Sequence, residues 1–228
     1  MVTLQLRQLS VPPGHRVILH DVSWQEFEAI LEELGDHRAT RLAYSQGTLE
    51  MRMPLPKHEK AKVIIGDLVK ILLEELEIDC ETFGSTTFKR EDMAFGVEPD
   101  DSFYIQNHAR MIGKERIDLR VDPLPDLAIK VDVTSKTQLD AYEALGVPEL
   151  WRYEDRKLQI NILQNGKYIE SEISSTFSNL PIVEAIPQFV EQSRTLGRSP
   201  TLRAFRQWVR KQINPTYSSF HVFEPHLS

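Results

Sequence analysis

A short apolar segment near the middle of the chain, "LAIKVDV" from Leu127 to Val133, most constrains the fold. Its aliphatic and β-branched residues are typical of a strand, and helical patterns occur elsewhere along the chain. Strands covered by helices on both faces normally carry apolar residues on both faces. Lys130 and Asp132 break this pattern. Because alternate side chains of a strand point the same way, the sequence places two charges on one face of an otherwise apolar strand.

The order of the predicted elements is that of a mixed α/β (α+β) fold, with a sheet flanked by helices. A first helix follows Ser23, which forms a capping-box pattern with Glu26, and Gly35 marks its end. A hairpin around a Ser-Gln-Gly turn comes next. It is followed by a long helix whose apolar stripe is expected to be buried. That stripe consists of Val63, Ile64, Leu68, Ile71, Leu72 and Leu76.

The second half of the chain continues this alternation. Strands are predicted around "EPDD" and the central segment, followed by a helix over "TQLDAYEALGVPEL" and two hairpins with Glu-Asp and Asn-Gly turns. A short helix, a loop and a C-terminal helix complete the pattern. We expect an N-terminal arm and helix over 1–47, a core over 48–163 and a C-terminal helical extension over 164–228, all in one globular domain.

Composition limits the classes of function. The 228 residues carry a net charge of −7, which argues against a protein that coats nucleic acid by general electrostatics. It allows an enzyme that uses a local basic patch and a metal ion. No apolar run reaches the ~18–20 residues that cross a bilayer, and the N-terminus has no signal-type apolar region. With a single cysteine, Cys80, these features predict a cytoplasmic protein without a membrane partner.

Acidic residues occur at four places where solubility does not require them: Glu50 in a strand, Glu59 at a helix start, the "EPDD" run from Glu98, and Asp132. Clustered carboxylates repel one another unless a cation compensates them. They therefore predict a divalent-metal site, where Mg²⁺ (or Mn²⁺) could generate hydroxide for phosphodiester hydrolysis. A neighbouring lysine could position the water or offset charge on the phosphate.

Each acid also has a simpler interpretation. Glu50 alone is typical of a surface charge, and the helix macrodipole favours Glu59 in a first turn. The "EPDD" run could be a turn with an Asx cap. Lys130 and Asp132 could form an internal ion pair on an edge strand. If the carboxylates lay far apart, the chain would be a structural module without a site.

The order of four segments resembles the Uma-type restriction endonuclease family, which is abundant in cyanobacteria and belongs to the PD-(D/E)xK nuclease superfamily. These segments are Glu59 in "HE", "GVEPDDSFYI", "PDLAIKVDVTS" and "YEALGVPELWRYE", and the likeness runs from about Thr48 to Leu163. It implies a restriction-endonuclease-like sheet flanked by helices and a Mg²⁺-dependent DNA endonuclease. A homodimer is expected, because cutting both strands needs two sites.

The resemblance also implies a set of site residues. Asp100 carries the aspartate of the "PD" motif, and Glu59 carries the helix-start glutamate. Asp132 is the third expected metal ligand. The family glutamate that follows "PDL" is replaced here by Lys130. This position is the chain's main departure from the family pattern.

Three interpretations of Lys130 follow from its charge. In the first, a cation has replaced a metal ligand and repels Mg²⁺, so that the protein is an impaired or non-cleaving binding relative. In the second, Asp132 replaces the lost ligand and Lys130 serves as the catalytic lysine in reversed order. In the third, Lys136 is the catalytic lysine and Lys130 holds a phosphate.

Other basic residues are candidates for binding the substrate backbone. Lys89 and Arg90 lie close in sequence to the "EPDD" run and are predicted to contact substrate phosphates. Arg203, Arg206 and Arg210 share one face of the C-terminal helix. That face is either a phosphate-contacting surface or an ordinary solvated helix surface.

Overall fold

The structure is a computed structural model that describes residues 6–35, 39–131 and 136–214, with only the backbone described at 7, 56–58 and 136–138. The helices are α1 Trp24–Leu34, α2 Pro56–Glu75, α3 His108–Met111, α4 Lys136–Leu145, α5 Ile182–Leu196 and α6 Arg198–Ile213. The strands are β1 Arg16–Leu19, β2 Arg41–Ser45, β3 Thr48–Arg52, β4 Glu81–Thr82, β5 Phe88–Arg90, β6 Phe95–Val97, β7 Asp101–Tyr104, β8 Leu127–Val131, β9 Glu149–Glu154, β10 Lys157–Gln164 and β11 Lys167–Ser171.

The strands form two sheets rather than one. The first has the order β1-β3-β2-β6-β5 and is antiparallel throughout. The second has the order β11-β10-β9-β8-β7-β4, and its one parallel pair is β8 with β9. Helix α4 makes the crossover that a parallel pair requires. This mixed α/β architecture confirms the predicted fold class. Since β8 lies between β7 and β9, the edge-strand interpretation of Lys130 is wrong.

Local sequence signals set the first helix and the first hairpin as expected. The hydroxyl of Ser23 accepts a hydrogen bond from the backbone N–H of Glu26 at 3.2 Å, and the Glu26 carboxylate accepts one from Ser23 N–H at 2.7 Å. This is the predicted capping box, and Gly35 ends the helix with φ +68°. The α1 side chain Phe27 stacks on Tyr44 of β2, with ring centroids 4.6 Å apart. The helix therefore covers one face of the first sheet.

Helix α2 confirms most of the predicted apolar stripe and corrects one residue. Ile64, Leu68, Ile71 and Leu72 are buried, and Leu76 packs against the same core. Val63 was expected in this core but is 50% exposed. Its position is explained by an open groove along the first turns of α2, which Val63 lines. None of the described helices combines the length and apolarity needed to span a membrane.

The C-terminal region differs from the expected short helix, loop and helix. Helix α5 has 15 residues, and Gly197 alone separates it from α6. The positive φ of +80° at Gly197 allows the chain to turn there without a loop. Arg206 and Arg210 bind Glu75 of α2 at 2.8 and 2.6 Å. These two arginines therefore link α6 to α2. The sequence had suggested either a phosphate-contacting surface or an ordinary solvated surface for this face of the helix.

Candidate active site

Residues 98–100 carry the chain from β6 of the first sheet to β7 of the second. Asp100 lies at this corner and is 6% exposed. Its backbone N–H donates to Ile129 O at 2.8 Å, and its carboxylate Oδ2 accepts from Val131 N–H at 2.7 Å. Since its partner lies 31 residues away, Asp100 is not a local Asx cap. The two bonds fix its carboxylate beside β8.

Lys130 points into the same corner. It shares a face of β8 with Ala128, which packs in the cluster that includes Tyr142 of α4, whereas Leu127 and Ile129 face the core around α2. Lys130 is 3% exposed, and its ammonium donates to Glu98 O at 3.0 Å and lies 3.5 Å from Asp100 Oδ1. The carboxylate that pairs with Lys130 in the described structure is thus that of Asp100.

The charge on Lys130 is strongly influenced by its surroundings. Burial lowers the pKa of the Lys130 ammonium from its usual range, and the Asp100 carboxylate opposes this shift. The nearby guanidinium groups of Arg52 and Arg41 lower the same pKa further. Asp100 is therefore the group that favours a charged lysine here, because opposite charges stabilise one another at short range.

A small pocket joins this ion pair to the helix-start glutamate. It has a volume of about 10 Å³, close to the space needed for one water. It is lined by Arg41, Arg52, Pro54, Glu59, Asp100, Lys130 and Val131. Glu59 is partly exposed and lies 3.8 Å from the Lys62 ammonium. The structure thus brings together three predicted site residues, Glu59, Asp100 and Lys130.

Two arginines of this pocket belong to a row across the first sheet. Arg52 of β3 is directly opposite Arg16 of β1 on one side and Arg41 of β2 on the other. Opposite residues of antiparallel strands share a face, and like charges in such positions are destabilising. The buried carboxylate of Glu50 lies 3.8 Å from Arg16, so Glu50 is not the surface charge that its type suggests.

Tyr142 of α4 adds a buried hydroxyl near Asp100. Burial raises the pKa of Tyr142 well above its usual range, and the charge of Asp100 contributes to this shift. The hydroxyl has no hydrogen-bond partner among the described residues. A buried hydroxyl normally has a hydrogen-bond partner, so the Tyr142 O–H is available to donate a hydrogen bond at this corner. Tyr142, Arg41 and Arg52 were not identified as site residues in the sequence.

The other acids of the "EPDD" run are engaged elsewhere. The Glu98 carboxylate accepts from Leu42 N–H at 3.0 Å and from the Thr87 hydroxyl at 2.7 Å, which holds the first sheet together. Asp101 lies within 4.0 Å of the Lys70 ammonium on α2. Burial raises the pKa of the Asp101 carboxyl. Only Asp100 of this run lines the pocket.

The remaining predicted residues either lie away from the pocket or lie outside the residues that the structure describes. Lys89 binds Glu28 of α1 at 2.7 Å, and Arg90 binds Asp92 at 2.5 Å. Contact between these two residues and substrate stays a prediction. Asp132 lies outside the described residues, as does the side chain of Lys136. Across 6–35, 39–131 and 136–214, no three His, Cys, Asp or Glu side chains gather in a way that suits a metal ion.

The chain has similarities to one protein family and to a solved structure. The model of the Uma2 family, described as "Putative restriction endonuclease", matches residues 24–196. The chain is also similar to a solved structure titled "putative nuclease belonging to DUF820" from Anabaena variabilis. That similarity has a TM-score of 0.46 and 16% identity, and covers 82% of this chain and 99% of the other. No curated protein shows a significant match. Because the family match spans most of the chain, the protein belongs to the Uma2 restriction endonuclease family.

Proposed function

We propose that this protein has the fold of a metal-dependent DNA endonuclease and that Lys130 impairs its hydrolytic activity. The observation that carries this proposal is the buried ion pair between Lys130 and Asp100, at 3.5 Å. The resemblance to the family implies a glutamate at the position of Lys130. Its replacement puts a positive charge next to Asp100, a carboxylate expected to bind metal.

The described side chains do not suit Mg²⁺ as they stand. Mg²⁺ binds oxygen ligands at about 2.0–2.1 Å and is usually held by one or two carboxylates with waters and phosphates. An ion at that distance from Asp100 Oδ1 would be close to the Lys130 ammonium, in a pocket that also contains Arg41 and Arg52. Repulsion between buried cations is poorly screened. The site therefore favours an anion over a second cation.

The reversed-order interpretation, with Lys130 as the catalytic lysine, is less well supported. The contacts of its ammonium with described residues, Asp100 Oδ1 and Glu98 O, are internal, and the residue is 3% exposed. A catalytic lysine has to reach the attacking water or the scissile phosphate. The interpretation with Lys136 depends on a side chain outside the description.

Cleavage of DNA by the protein and by its Lys130→Glu variant tests the proposal. Supercoiled plasmid and single-stranded circular DNA are incubated with Mg²⁺ or Mn²⁺ or with EDTA. We expect metal-dependent cleavage at least about 100-fold faster for Lys130→Glu, because one lost catalytic group commonly costs 10²–10⁴ in rate. Equal cleavage by both proteins would contradict the proposed impairment, and slower cleavage by Lys130→Glu would support Lys130 as a working catalytic lysine.

The matched control is Lys130→Glu combined with Asp100→Ala. It keeps the introduced glutamate and removes the neighbouring carboxylate, so cleavage is expected to return to background. Melting of the Lys130→Glu variant with and without Mg²⁺ gives a second readout. Two neighbouring carboxylates repel one another, so Mg²⁺ is expected to raise its melting temperature and not that of the native protein. If Lys130→Glu neither cleaves nor responds to metal, the proposal is wrong.

A second candidate function is nucleic-acid binding without cleavage. Arg41 and Arg52 beside the pocket favour it, because guanidinium groups at this corner attract a phosphate that lies against it. DNA as the partner and a homodimer as the assembly remain proposals that rest on the family. Light scattering of the protein with and without DNA measures the assembly directly, and a monomer in both conditions would contradict the dimer.

A further inference from the structure

An open groove leads away from the pocket along the first turns of α2. Its volume is about 1040 Å³, and its walls come from α2, α5, the start of α6 and the segment after β3. Arg41, Pro54 and Glu59 line both the groove and the pocket of Asp100. A chain lying in the groove would therefore reach that pocket without crossing another element of the described structure.

The charged residues of the groove are mostly cations. Arg41, Lys60, Arg194 and Arg198 line it, and the one acidic side chain among its described lining residues is Glu59. Among the lining residues, four cations and one anion give a formal charge of +3, of which two carboxylates just outside the lining offset two, in a protein whose net charge is −7. A positive groove on a negative protein attracts a polyanion locally while the rest of the surface repels it.

Two of these cations also contact carboxylates just outside the groove lining. Arg194 lies 3.0 Å from Glu191, and Arg198 lies 2.7 Å from Asp67. Both arginines are about half exposed, whereas the side chain of Asp67 is 17% exposed. A guanidinium has five N–H donors, so each arginine can also donate to a phosphate while its carboxylate stays in place.

The groove also has apolar walls. Val63 is 50% exposed within it, and Met53, Pro54, Ile64 and Val190 surround it. A nucleic acid duplex presents phosphates and sugars outward and keeps its bases stacked inside, so it would leave these walls uncovered. A single strand exposes the faces of its bases and can place them on apolar side chains while its phosphates meet the cations.

We propose that the α2 groove binds a single strand of nucleic acid and leads its backbone to the pocket of Asp100 and Lys130. This inference rests on the proposed nuclease function and specifies the substrate as single-stranded. It also explains why Val63 is exposed at a position where a buried residue was expected.

Binding in EDTA tests the groove without depending on catalysis. Fluorescence anisotropy is measured with a labelled oligothymidylate of about 20 nucleotides, alone and annealed to its complement. We expect the single strand to bind at least about 10-fold more tightly than the duplex, with affinity falling as salt rises. Lys60→Glu/Arg194→Glu should weaken single-strand binding at least about 10-fold. The control Arg120→Glu/Lys157→Glu changes the net charge equally at exposed positions outside the groove and should bind nearly as well as the native protein.

Alkylation of an introduced cysteine locates the strand. In a Cys80→Ser background, Val63→Cys and Ile169→Cys replace side chains of equal exposure, 50% each, and Ile169 is on β11, outside the groove. The single strand should slow maleimide labelling at position 63 and leave position 169 unchanged. Equal labelling at both positions, or tighter binding of the duplex, would overturn the proposal.

The two proposals fail in different ways. If Lys130→Glu cleaves DNA but the Lys60→Glu/Arg194→Glu changes affect neither binding nor cleavage, the groove assignment is wrong and the nuclease assignment stands. If the single strand binds and protects position 63 but Lys130→Glu does not cleave, the groove stands and the hydrolytic proposal is wrong.

Discussion

The Asp100→Asn variant is expected to unfold with a free energy about 3 kcal/mol lower than that of the native protein at pH 7, since removing one partner of a buried ion pair typically costs 3–5 kcal/mol. Asparagine keeps an oxygen that can accept from Val131 N–H, so the hydrogen bond at 2.7 Å is retained. The change removes the negative charge 3.5 Å from Lys130. The loss of stability therefore comes from leaving the Lys130 ammonium buried without its carboxylate, and not from breaking the hydrogen bond that holds residue 100 beside β8. Urea denaturation gives the value.

The double variant Asp100→Asn/Lys130→Met separates this charge effect from other causes. Replacing a buried ion pair by groups without charge is often neutral or stabilising, so the double variant should recover most of the stability lost in Asp100→Asn. Lys130→Met alone should cost less than Asp100→Asn, because Arg41 and Arg52 still line the same pocket as the carboxylate. If Asp100→Asn and the double variant are equally unstable, the ion pair is not what Asp100 contributes.

The pH dependence of the same variants provides a second test. Burial lowers the pKa of folded Lys130, and removing Asp100 removes the group that opposes this shift. The unfolded chain then binds a proton that the folded protein releases, so stability rises with pH towards the unfolded lysine pKa of about 10.4. The penalty is complete below the folded pKa and vanishes above the unfolded one. As pH rises between the lowered folded pKa of Lys130 and the unfolded lysine pKa of about 10.4, Asp100→Asn should gain stability relative to Asp100→Asn/Lys130→Met, by up to about 1.4 kcal/mol per pH unit.

Elements set by local chemistry could be predicted from the sequence. The capping box of Ser23 and Glu26 and the Ser-Gln-Gly turn define α1 and the β2–β3 hairpin through residues close in the chain. The exposed position of Val63 could not be predicted, because α2 has buried apolar residues on several sides. When a helix carries apolar residues on almost every side, its sequence does not indicate which of these side chains will remain exposed.

The candidate site was only partly predictable for a similar reason. Asp100, Glu59 and Lys130 belong to recognisable segments, but the partner of Lys130 depends on β7 pairing with β8, a long-range contact. Arg41 and Arg52 could have been identified from the register of their hairpin. In a hairpin where Ser45 pairs with Thr48, Arg41 must be opposite Arg52. Two arginines in such positions indicate a functional or compensated charge, since like charges opposite one another are unfavourable.

Gly66→Ala is expected to destabilise the protein by about 1–2 kcal/mol, although alanine is the better helix former by about 1 kcal/mol. A Cβ at position 66 of α2 would lie 2.5 Å from Asp101 Oδ2. That carboxylate cannot move freely, because its other oxygen accepts from Ser102 N–H at 2.9 Å and Lys70 lies 4.0 Å away. The steric cost should therefore exceed the gain in helix propensity. Thermal or urea unfolding measures the difference.

Asp101→Ala is the background in which the sign of this effect should reverse. Without the Asp101 carboxylate, no other heavy atom of the described residues outside the helix lies within 4 Å of the added Cβ. Gly66→Ala should then stabilise the protein by up to about 1 kcal/mol through helix propensity alone. In a double-mutant cycle, such a reversal of sign demonstrates a direct interaction between positions 66 and 101. If Gly66→Ala destabilises both backgrounds equally, contact with Asp101 is not the reason for glycine at position 66. A reversal would instead show that α2 keeps a glycine so that a buried carboxylate can lie against it, one residue from Asp100.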